Sequence, residues 1–357
     1  MHVFFDPEGR PFLLGSEMRW DLEPNAFLAR LCVISGRTSS PRTWRSYAYQ
    51  LADWLSFCDR IGVAWQHATE FNIATFRNLL ASEACPQTER PLKRATINHK
   101  LTVISQFYCF AQKQGWIDTL PFEIESARAP YRGFGIPTAA PATGISLRFA
   151  ERREEMQIPP RQDVRRFIRS FRNWRDRLIA ESLWLTGMRA SEVCSLPLDA
   201  LPEVPGLIDK ESVAIKILGK GQKWRAVLFP ARLLRSIDRY IHMERRRGTR
   251  AASNSATTVF VGRNGQPLKT SALNRVFSTN CSRTGLHIWP HMLRHVYAVE
   301  RLAYLQDIGA PNPLKTLQLE LGHASLTTTE RYLHITDRMR SDLLATHNSF
   351  VDRLLEE

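Results

Sequence analysis

The second half of the chain contains short segments whose residue types are suited to binding a phosphate and moving protons. An arginine guanidinium binds two phosphate oxygens at once, a histidine gains or loses a proton near neutral pH, and lysine and tyrosine carry polar hydrogens. Each residue also has a plainer interpretation, because a single arginine, lysine or tyrosine is more often structural or solvent-exposed. The candidates are Arg189 with Glu192, Lys220, His291 with Arg294, His323, and Tyr332.

Residues 290–295 predict the start of a helix, because proline is favoured in the first turn. His291 and Arg294 then lie three residues apart on one face, and His295 lies four residues after His291. An imidazole beside a guanidinium suits a phosphate ligand. A solvent-exposed polar helix face is the alternative interpretation of this spacing.

Tyr332 follows a second helix-start pattern. Thr327 and Glu330 form a T-x-x-E capping box, which predicts a helix beginning near Thr328 with Tyr332 in its first turns. His323 precedes this helix and follows a Leu-Gly pair that ends the element before it. An ordinary half-buried tyrosine is the alternative interpretation.

One β-hairpin is predicted upstream of these helices. Apolar residues alternate over residues 213–217 and again over 224–229, and the letters GKGQ between them form a turn. Lys220 therefore lies at or beside the tip of the hairpin, which lacks the spacing of a Walker A phosphate loop. Residues 257–261 are predicted to add a further strand.

The first part of the chain is predicted to be a compact helical unit. Apolar residues recur with helical spacing over residues 47–58, and Gly62 ends that helix. Further helices are expected over residues 70–80 and 97–108. The fold class that follows is mainly α with a small antiparallel β-sheet.

A segment rich in proline and glycine divides the chain. Residues 129–144 contain three prolines and three glycines in 16 residues, a composition that does not form a regular element. We therefore expect five parts: an extension over residues 1–22, a helical domain over 23–128, a linker over 129–157, a second domain over 158–340, and an amphipathic tail helix over 341–357.

The charge of the chain points to a polyanionic partner. There are 49 Lys and Arg against 35 Asp and Glu, and residues 201–300 alone hold 17 basic against 6 acidic side chains. No run approaches the ~20 apolar residues that a membrane span needs, and the first residues lack the basic start of a signal peptide. The six scattered cysteines form no CxxC pair and are expected to be free thiols.

Taken in order, the segments resemble the tyrosine recombinase (phage integrase-like) family. LTGMRASE over residues 185–192 matches the family's first arginine box, HMLRH over 291–295 its H-x-L-R-H box, and LGHASLTTTERY over 321–332 its tyrosine box. The resemblance covers the whole chain. It implies a helical SAM-like core-binding domain that clamps double-stranded DNA, followed by an α+β catalytic domain, and hence a site-specific DNA recombinase.

The resemblance also implies a role for each candidate. Tyr332 would attack the scissile phosphodiester and form a 3′-phosphotyrosyl link. Positive charge from arginine and lysine would replace a metal ion, so no cofactor and no metal are expected. The implied roles are charge neutralisation by Arg189 and Arg294, protonation of the leaving 5′-oxygen by Lys220, proton transfer at Tyr332 by His291, a hydrogen bond to the phosphate by His323, and orientation of the arginine box by Glu192.

Several alternatives stay open. Lys223 competes with Lys220 as the general acid, and we favour Lys220 because it follows the strand directly. Further DNA contacts are expected from Lys223, Arg225, Lys93 and Arg94. The alternative functions are DNA relaxation of the type IB topoisomerase kind and catalytically silent DNA binding.

The resemblance also implies an assembly and a place in the cell. We expect a homotetramer on a specific core site with inverted repeats, formed from free monomers or dimers. The tail over residues 341–357 is expected to dock on a neighbouring protomer, with packing on its own domain as the alternative. The expected location is the cytoplasm, in association with the nucleoid. Integration, excision, transposition and dimer resolution all remain open as tasks.

Overall fold

The chain folds into two compact units, Met1–Glu154 and Glu155–Glu357. The division falls inside the segment over residues 129–157 that we predicted to be a linker. Among the residues that the structure describes, no helix is long and apolar enough to cross a membrane. The computed structural model describes residues 1–34, 40–84, 89–126, 143–150, 156–203, 211–219, 223–245, 257–262 and 264–339.

Four α-helices form the core of the first unit and confirm the predicted helical pattern. Leu51 and Trp54 of one helix and Ile97 of another are fully buried, as their spacing requires. The Trp54 ring meets the Phe76 ring edge-on at a centroid distance of 5.3 Å, which joins two of the helices. The helices are α1 (Leu22–Ala29), α2 (Pro41–Arg60), α3 (Glu70–Ser82) and α4 (Arg94–Lys113).

The first residues, predicted to be an extension, are packed into this unit. Strand β1 (His2–Phe5) pairs antiparallel with β2 (Pro11–Leu14), and Leu13 is fully buried. Asn25 holds β2 against α1, because its Oδ1 accepts a hydrogen bond from Leu13 N at 2.7 Å and its Nδ2 donates to Leu13 O at 2.8 Å. Each of these strands has only four residues, so the alternation of apolar and polar residues is too short to predict a strand from the sequence.

The end of the predicted linker is also packed against the first unit. Strand β3 (Ile124–Ser126) pairs antiparallel with β4 (Thr143–Ile145). Asn98 of α4 brackets the backbone of Phe149: its Nδ2 donates to Phe149 O and its Oδ1 accepts from Phe149 N, both at 2.9 Å. Residues 127–142, most of the proline- and glycine-rich segment, lie outside the described residues.

The second unit packs helices around the predicted hairpin. Strand β5 (Ser212–Leu218) pairs antiparallel with β6 (Trp224–Pro230), and the inward-facing residues Ile215, Val227 and Phe229 are buried. The helices are α5 (Arg161–Arg169), α6 (Trp174–Thr186), α7 (Ala190–Cys194), α8 (Ala231–Tyr240), α9 (Thr270–Thr284), α10 (Pro290–Asp307), α11 (Pro313–Leu321) and α12 (Thr327–Met339).

The strand predicted over residues 257–261 is wrong. Val259 N donates to Leu196 O at 2.8 Å, but Thr258 forms only an isolated bridge, with Pro197. A second hydrogen bond, from Leu198 N to Thr257 O at 2.8 Å, flanks the same bridge, and the pairing does not extend beyond it into a ladder.

Candidate active site

Arg294 of α10 joins the C-terminal ends of two helices. Its Nη1 donates to the carbonyl of Gly187, which follows α6, and its Nη2 donates to Leu321 O, the last residue of α11, at 2.6 Å. Carbonyls at a helix C-terminus have no partner within the helix and carry partial negative charge, so they stabilise a buried guanidinium. Burial and the nearby Arg189 and Arg225 lower the pKa of Arg294 to about 10, which leaves it protonated at neutral pH.

Arg189, which directly precedes α7, also contacts the C-terminal end of α11. Its backbone N and its Nη1 donate to the two carboxylate oxygens of Glu192, both at 2.7 Å. Its Nη2 donates to Gly322 O at 3.0 Å. Arg189 and Arg294 therefore bind consecutive carbonyls, those of Gly322 and Leu321. Two guanidinium groups are brought together, and a bound anion would offset their repulsion.

Glu192 is a buried carboxylate shared by two arginines. Its Oε2 also accepts a hydrogen bond from Arg225 Nη2 at 2.8 Å, and its side chain is only 3% exposed. Burial acts to raise the pKa of Glu192, but hydrogen bonds from Arg225 and Arg189 bring it below its ordinary value. The carboxylate accepts two hydrogen bonds from Arg189, and the orienting role that we predicted for Glu192 stays a prediction.

The described contacts of Arg225 lie inside the site, and its predicted contact with DNA stays a prediction. Its side chain is 8% exposed, and its guanidinium donates to Glu192 and to the carbonyl of Glu320. Side chains alternate along a strand, so Arg225 shares the inward face of β6 with Val227 and Phe229. It belongs to the residues that position the site.

Tyr332 of α12 lies in the same pocket. Its side chain is 1% exposed, and its hydroxyl oxygen is 2.7 Å from His295 Nδ1. The Tyr332 ring stacks on the ring of His323 at a centroid distance of 6.3 Å. Burial raises the pKa of Tyr332, and Arg294 and Arg331 only partly offset this, so the phenol is protonated at neutral pH.

The histidines of the pocket are neutral at neutral pH. Burial and nearby arginines, Arg294 first among them, lower the pKa of His323 to about 4 and also lower the pKa of His291. His323 Nδ1 lies 2.9 Å from Thr329 Oγ1. Proton transfer at Tyr332 by His291 stays a prediction: the His291 ring meets the ring of His295 at 4.2 Å, and His295 Nδ1 is the ring nitrogen that lies against the Tyr332 hydroxyl. The sequence analysis placed His295 on this helix but gave it no role.

The residue that follows β5 lies beside Glu192 and Arg189. Lys220, our candidate general acid, lies outside the described residues. Gly219 precedes it, and a methyl group at Gly219 would lie 3.3 Å from Glu192 Oε1 and 3.9 Å from Arg189 Nη1. Lys223 is exposed, and its carbonyl accepts a hydrogen bond from Gly219 N at 2.8 Å.

Lys93 and Arg94 belong to the first unit, where they begin α4. Both side chains are exposed, and the Arg94 guanidinium lies 5.6 Å from the centroid of the Phe149 ring. Within the described parts of both units, no group of three or more histidine, cysteine, aspartate or glutamate side chains is arranged to hold a metal ion.

A further layer, which the sequence analysis missed, supports α11. The Tyr297 hydroxyl donates to Glu320 Oε2 at 3.2 Å, and Arg301 Nη2 donates to Glu320 Oε1 at 2.7 Å. Because the Glu320 carbonyl also accepts from Arg225, this layer is continuous with the arginine cluster. These residues follow no motif, so only their contacts identify them.

Comparisons with known proteins identify the family of the chain. Residues 160–339 match the phage integrase family, and residues 25–115 match the phage integrase N-terminal SAM-like domain. Tyrosine recombinase XerC of Bacillus subtilis (strain 168) is 27% identical over 262 residues, 73% of this chain and 77% of that protein. XerC of Chlamydia muridarum (strain MoPn / Nigg) is also 27% identical, over 322 residues, 86% of this chain and 92% of that protein.

Solved structures show the same fold. The XerH site-specific recombinase bound to a palindromic difH substrate superposes with a TM-score of 0.62 at 20% identity, covering 91% of this chain and 83% of that chain. The chain belongs to the phage integrase family. It is a tyrosine recombinase, an enzyme of site-specific DNA recombination, and the topoisomerase-like and catalytically silent alternatives are not favoured.

Proposed function

We propose that Tyr332 cleaves one strand of duplex DNA in the pocket of its own chain. The Tyr332 oxygen attacks the phosphorus, the bond from phosphorus to the 5′-oxygen breaks, and a 3′-phosphotyrosyl ester and a free 5′-hydroxyl result. Rejoining reverses these steps without ATP, because the phosphotyrosyl ester retains the free energy of the broken phosphodiester bond. The observation that carries the proposal is the burial of Tyr332 in one pocket with Arg294 and His323.

Arg189 and Arg294 are the proposed anion-binding pair. Each guanidinium uses part of its five N–H donors on a backbone carbonyl or Glu192, which fixes its plane and leaves donors for the non-bridging phosphate oxygens. Groups fixed in this way need no reorganisation as charge develops on the phosphorus. Removal of one such donor typically costs ~10²–10³ in rate. His323 adds a neutral hydrogen-bonding group, and the exposed His291 lies next to His295, the histidine that contacts Tyr332.

Lys220 is the proposed general acid, with Lys223 as the competing candidate. Gly219, the residue before Lys220, lies against Glu192 and Arg189, which supports the proposal that Lys220 acts at this site. A substrate with sulfur in place of the bridging 5′-oxygen needs no protonation of its leaving group. We expect this substrate to restore cleavage by Lys220→Ala, whereas Lys223→Ala cleaves the ordinary substrate normally. The opposite result would assign the role to Lys223.

The proposed assembly is a homotetramer on a core site with inverted repeats, in the cytoplasm at the nucleoid. The tail over residues 341–357 lies outside the described residues, and its amphipathic sequence supports docking on a neighbouring protomer. Deletion of this tail should abolish DNA-bound tetramers in gel-filtration and light-scattering measurements. Unchanged assembly and activity would show that the tail is not needed.

Exposed basic residues are proposed to contact the DNA backbone away from the pocket. Lys93 and Arg94 on α4 and Lys223 at the hairpin are all exposed. Replacing each by alanine should reduce the slope of log K against log salt by ~0.9 for every DNA phosphate that the protein no longer neutralises. If the slope does not change when all three residues are replaced together, these residues do not contact the DNA backbone.

A nicked suicide duplex tests the proposed chemistry. The duplex carries a site that the wild-type protein selects from a randomised DNA pool, and cleavage next to the nick releases a short fragment that cannot be rejoined. Wild-type protein should form a covalent adduct that Tyr332→Phe cannot form, whereas the exposed Tyr304→Phe forms it normally. Binding without any adduct would contradict the proposal. Strand exchange between two duplexes separates recombination from simple relaxation.

A further inference from the structure

The hydrogen-bond partner of Tyr332 is the residue directly after Arg294. His295 Nδ1 lies 2.7 Å from the Tyr332 hydroxyl oxygen, which is an ordinary hydrogen-bond distance for a hydroxyl donor. His323 is less suited to this role, because its Nδ1 is already within 2.9 Å of Thr329 Oγ1. His291 meets the His295 ring, one helical turn away on α10.

The protonation state of His295 fixes the direction of this hydrogen bond. Burial, together with His291, Arg331, Arg294 and His323, lowers the pKa of His295 to about 3, so the ring is neutral at neutral pH. A neutral imidazole has one N–H and one bare nitrogen. Since the phenol is protonated, Tyr332 donates and His295 Nδ1 accepts, which places the ring hydrogen on Nε2.

We propose that His295 is the proton acceptor for Tyr332, an inference that rests on the proposed cleavage chemistry. As the Tyr332 oxygen attacks phosphorus, its proton passes to His295 Nδ1, and the leaving 5′-oxygen takes a proton from the general acid. On rejoining, the 5′-hydroxyl returns its proton to the general acid as its oxygen attacks phosphorus, the bond from phosphorus to the tyrosine oxygen breaks, and that oxygen takes its proton back from His295. Protons and charge balance in both directions, with no water or metal needed.

The charges around His295 make its basicity depend on whether substrate is bound. In the free protein, the cations around His295 oppose its protonation: Arg294 on its own helix and Arg331 on α12. A phosphodiester held by Arg189 and Arg294 adds a negative charge to the same pocket. That charge offsets the arginines and favours the imidazolium, so His295 becomes a stronger base only when the scissile phosphate is present.

The substitution His295→Asn separates proton transfer from hydrogen bonding. The asparagine Oδ1 occupies about the place of Nδ1 and can accept the Tyr332 hydrogen bond, but it does not take up a proton. His287, which is exposed in the same unit, provides the matched control His287→Asn. Single-turnover cleavage is measured on the suicide duplex that the wild-type protein cleaves, with DNA binding and circular dichroism verified for each variant.

We expect His295→Asn to slow cleavage ~10²–10⁴-fold at neutral pH, the usual contribution of a positioned base. Because solvent hydroxide can replace the missing base, the defect should shrink as pH rises. The substrate with bridging sulfur should not restore cleavage, since it relieves only the need for an acid. His287→Asn should behave as wild type in every assay.

Two results would overturn the assignment. One is wild-type cleavage by His295→Asn at neutral pH, and the other is a defect of constant size at every pH, which indicates a structural role. A wild-type protein that never forms the adduct would instead contradict the proposed cleavage chemistry itself. The two failures are therefore distinguishable in one set of assays.

Discussion

Arg225 Nη2 lies 2.8 Å from Glu192 Oε2, and both side chains are almost completely buried. The same carboxylate binds the backbone N and the Nη1 of Arg189. The β-hairpin and the first arginine box, which are separate in sequence, are thus joined through one acidic side chain. Arg225 affects the site through Glu192, as a positioning residue.

Replacing Arg225 by methionine should destabilise the protein and weaken cleavage. Removal of one partner from a buried ion pair leaves the other charge uncompensated, and typically costs ~3–5 kcal/mol in the free energy of unfolding. Urea unfolding measures the loss, and the suicide-duplex assay measures the effect on Arg189. The exposed Arg235→Met on α8 is the control, and an equal loss in both variants would contradict the argument.

Gly322→Ala should cost more than the same change at Gly309. Both glycines have φ of 64°, so both substitutions carry the strain of left-handed backbone, roughly 1–2 kcal/mol. A methyl group at Gly322 would also lie 2.6 Å from Arg225 Cδ, whereas nothing lies within 4 Å at Gly309. The difference between the losses of unfolding free energy in Gly322→Ala and Gly309→Ala measures the cost of the steric contact with Arg225. Cleavage should be abolished in Gly322→Ala and retained in Gly309→Ala, and equal behaviour of the two would refute the contact.

Stability should fall on acidification because of the histidines in the pocket. The pKa of His323 is lowered from 6.5 to about 4, mainly by burial and then by Arg294 and Arg189. Between these values the unfolded chain binds a proton that the folded chain does not, so the stability falls as pH decreases from 6.5. Urea midpoints of His323→Asn should depend less on pH over this range than those of the wild type. His287→Asn is the control, and an unchanged slope in His323→Asn would contradict the prediction.

Asn25→Ala should release the N-terminal hairpin from the first unit. The change removes both hydrogen bonds to Leu13 and leaves its buried backbone N–H and C=O without these partners, which costs ~1–3 kcal/mol for each unsatisfied group. We expect faster proteolysis of residues 1–22 and a lower unfolding midpoint. Asn78→Ala, on the exposed part of α3, provides the comparison. Equal protection of wild type and Asn25→Ala would show that the hairpin is held by other contacts.

The sequence alone located several helices and named most residues of the candidate site. Helical periodicity located α2, α3 and α4, because apolar residues every three or four positions require one buried face. The hairpin followed from alternation over β5 and β6. The residues of the site could be named before the structure because Arg189, Arg294 and Tyr332 lie within sequence motifs of the family. Each motif lies at the start or end of a helix that the sequence also indicates.

Only the tertiary structure decided which of these side chains contact each other. Neither the contact of His295 with Tyr332 nor that of Arg225 with Glu192 followed from the sequence, and both are fixed by the fold. Local spacing determines which residues share one helix face or one strand face. Which face meets which neighbour depends on how α10, α11, α12 and the hairpin pack together, and contacts between residues far apart in sequence fix that packing.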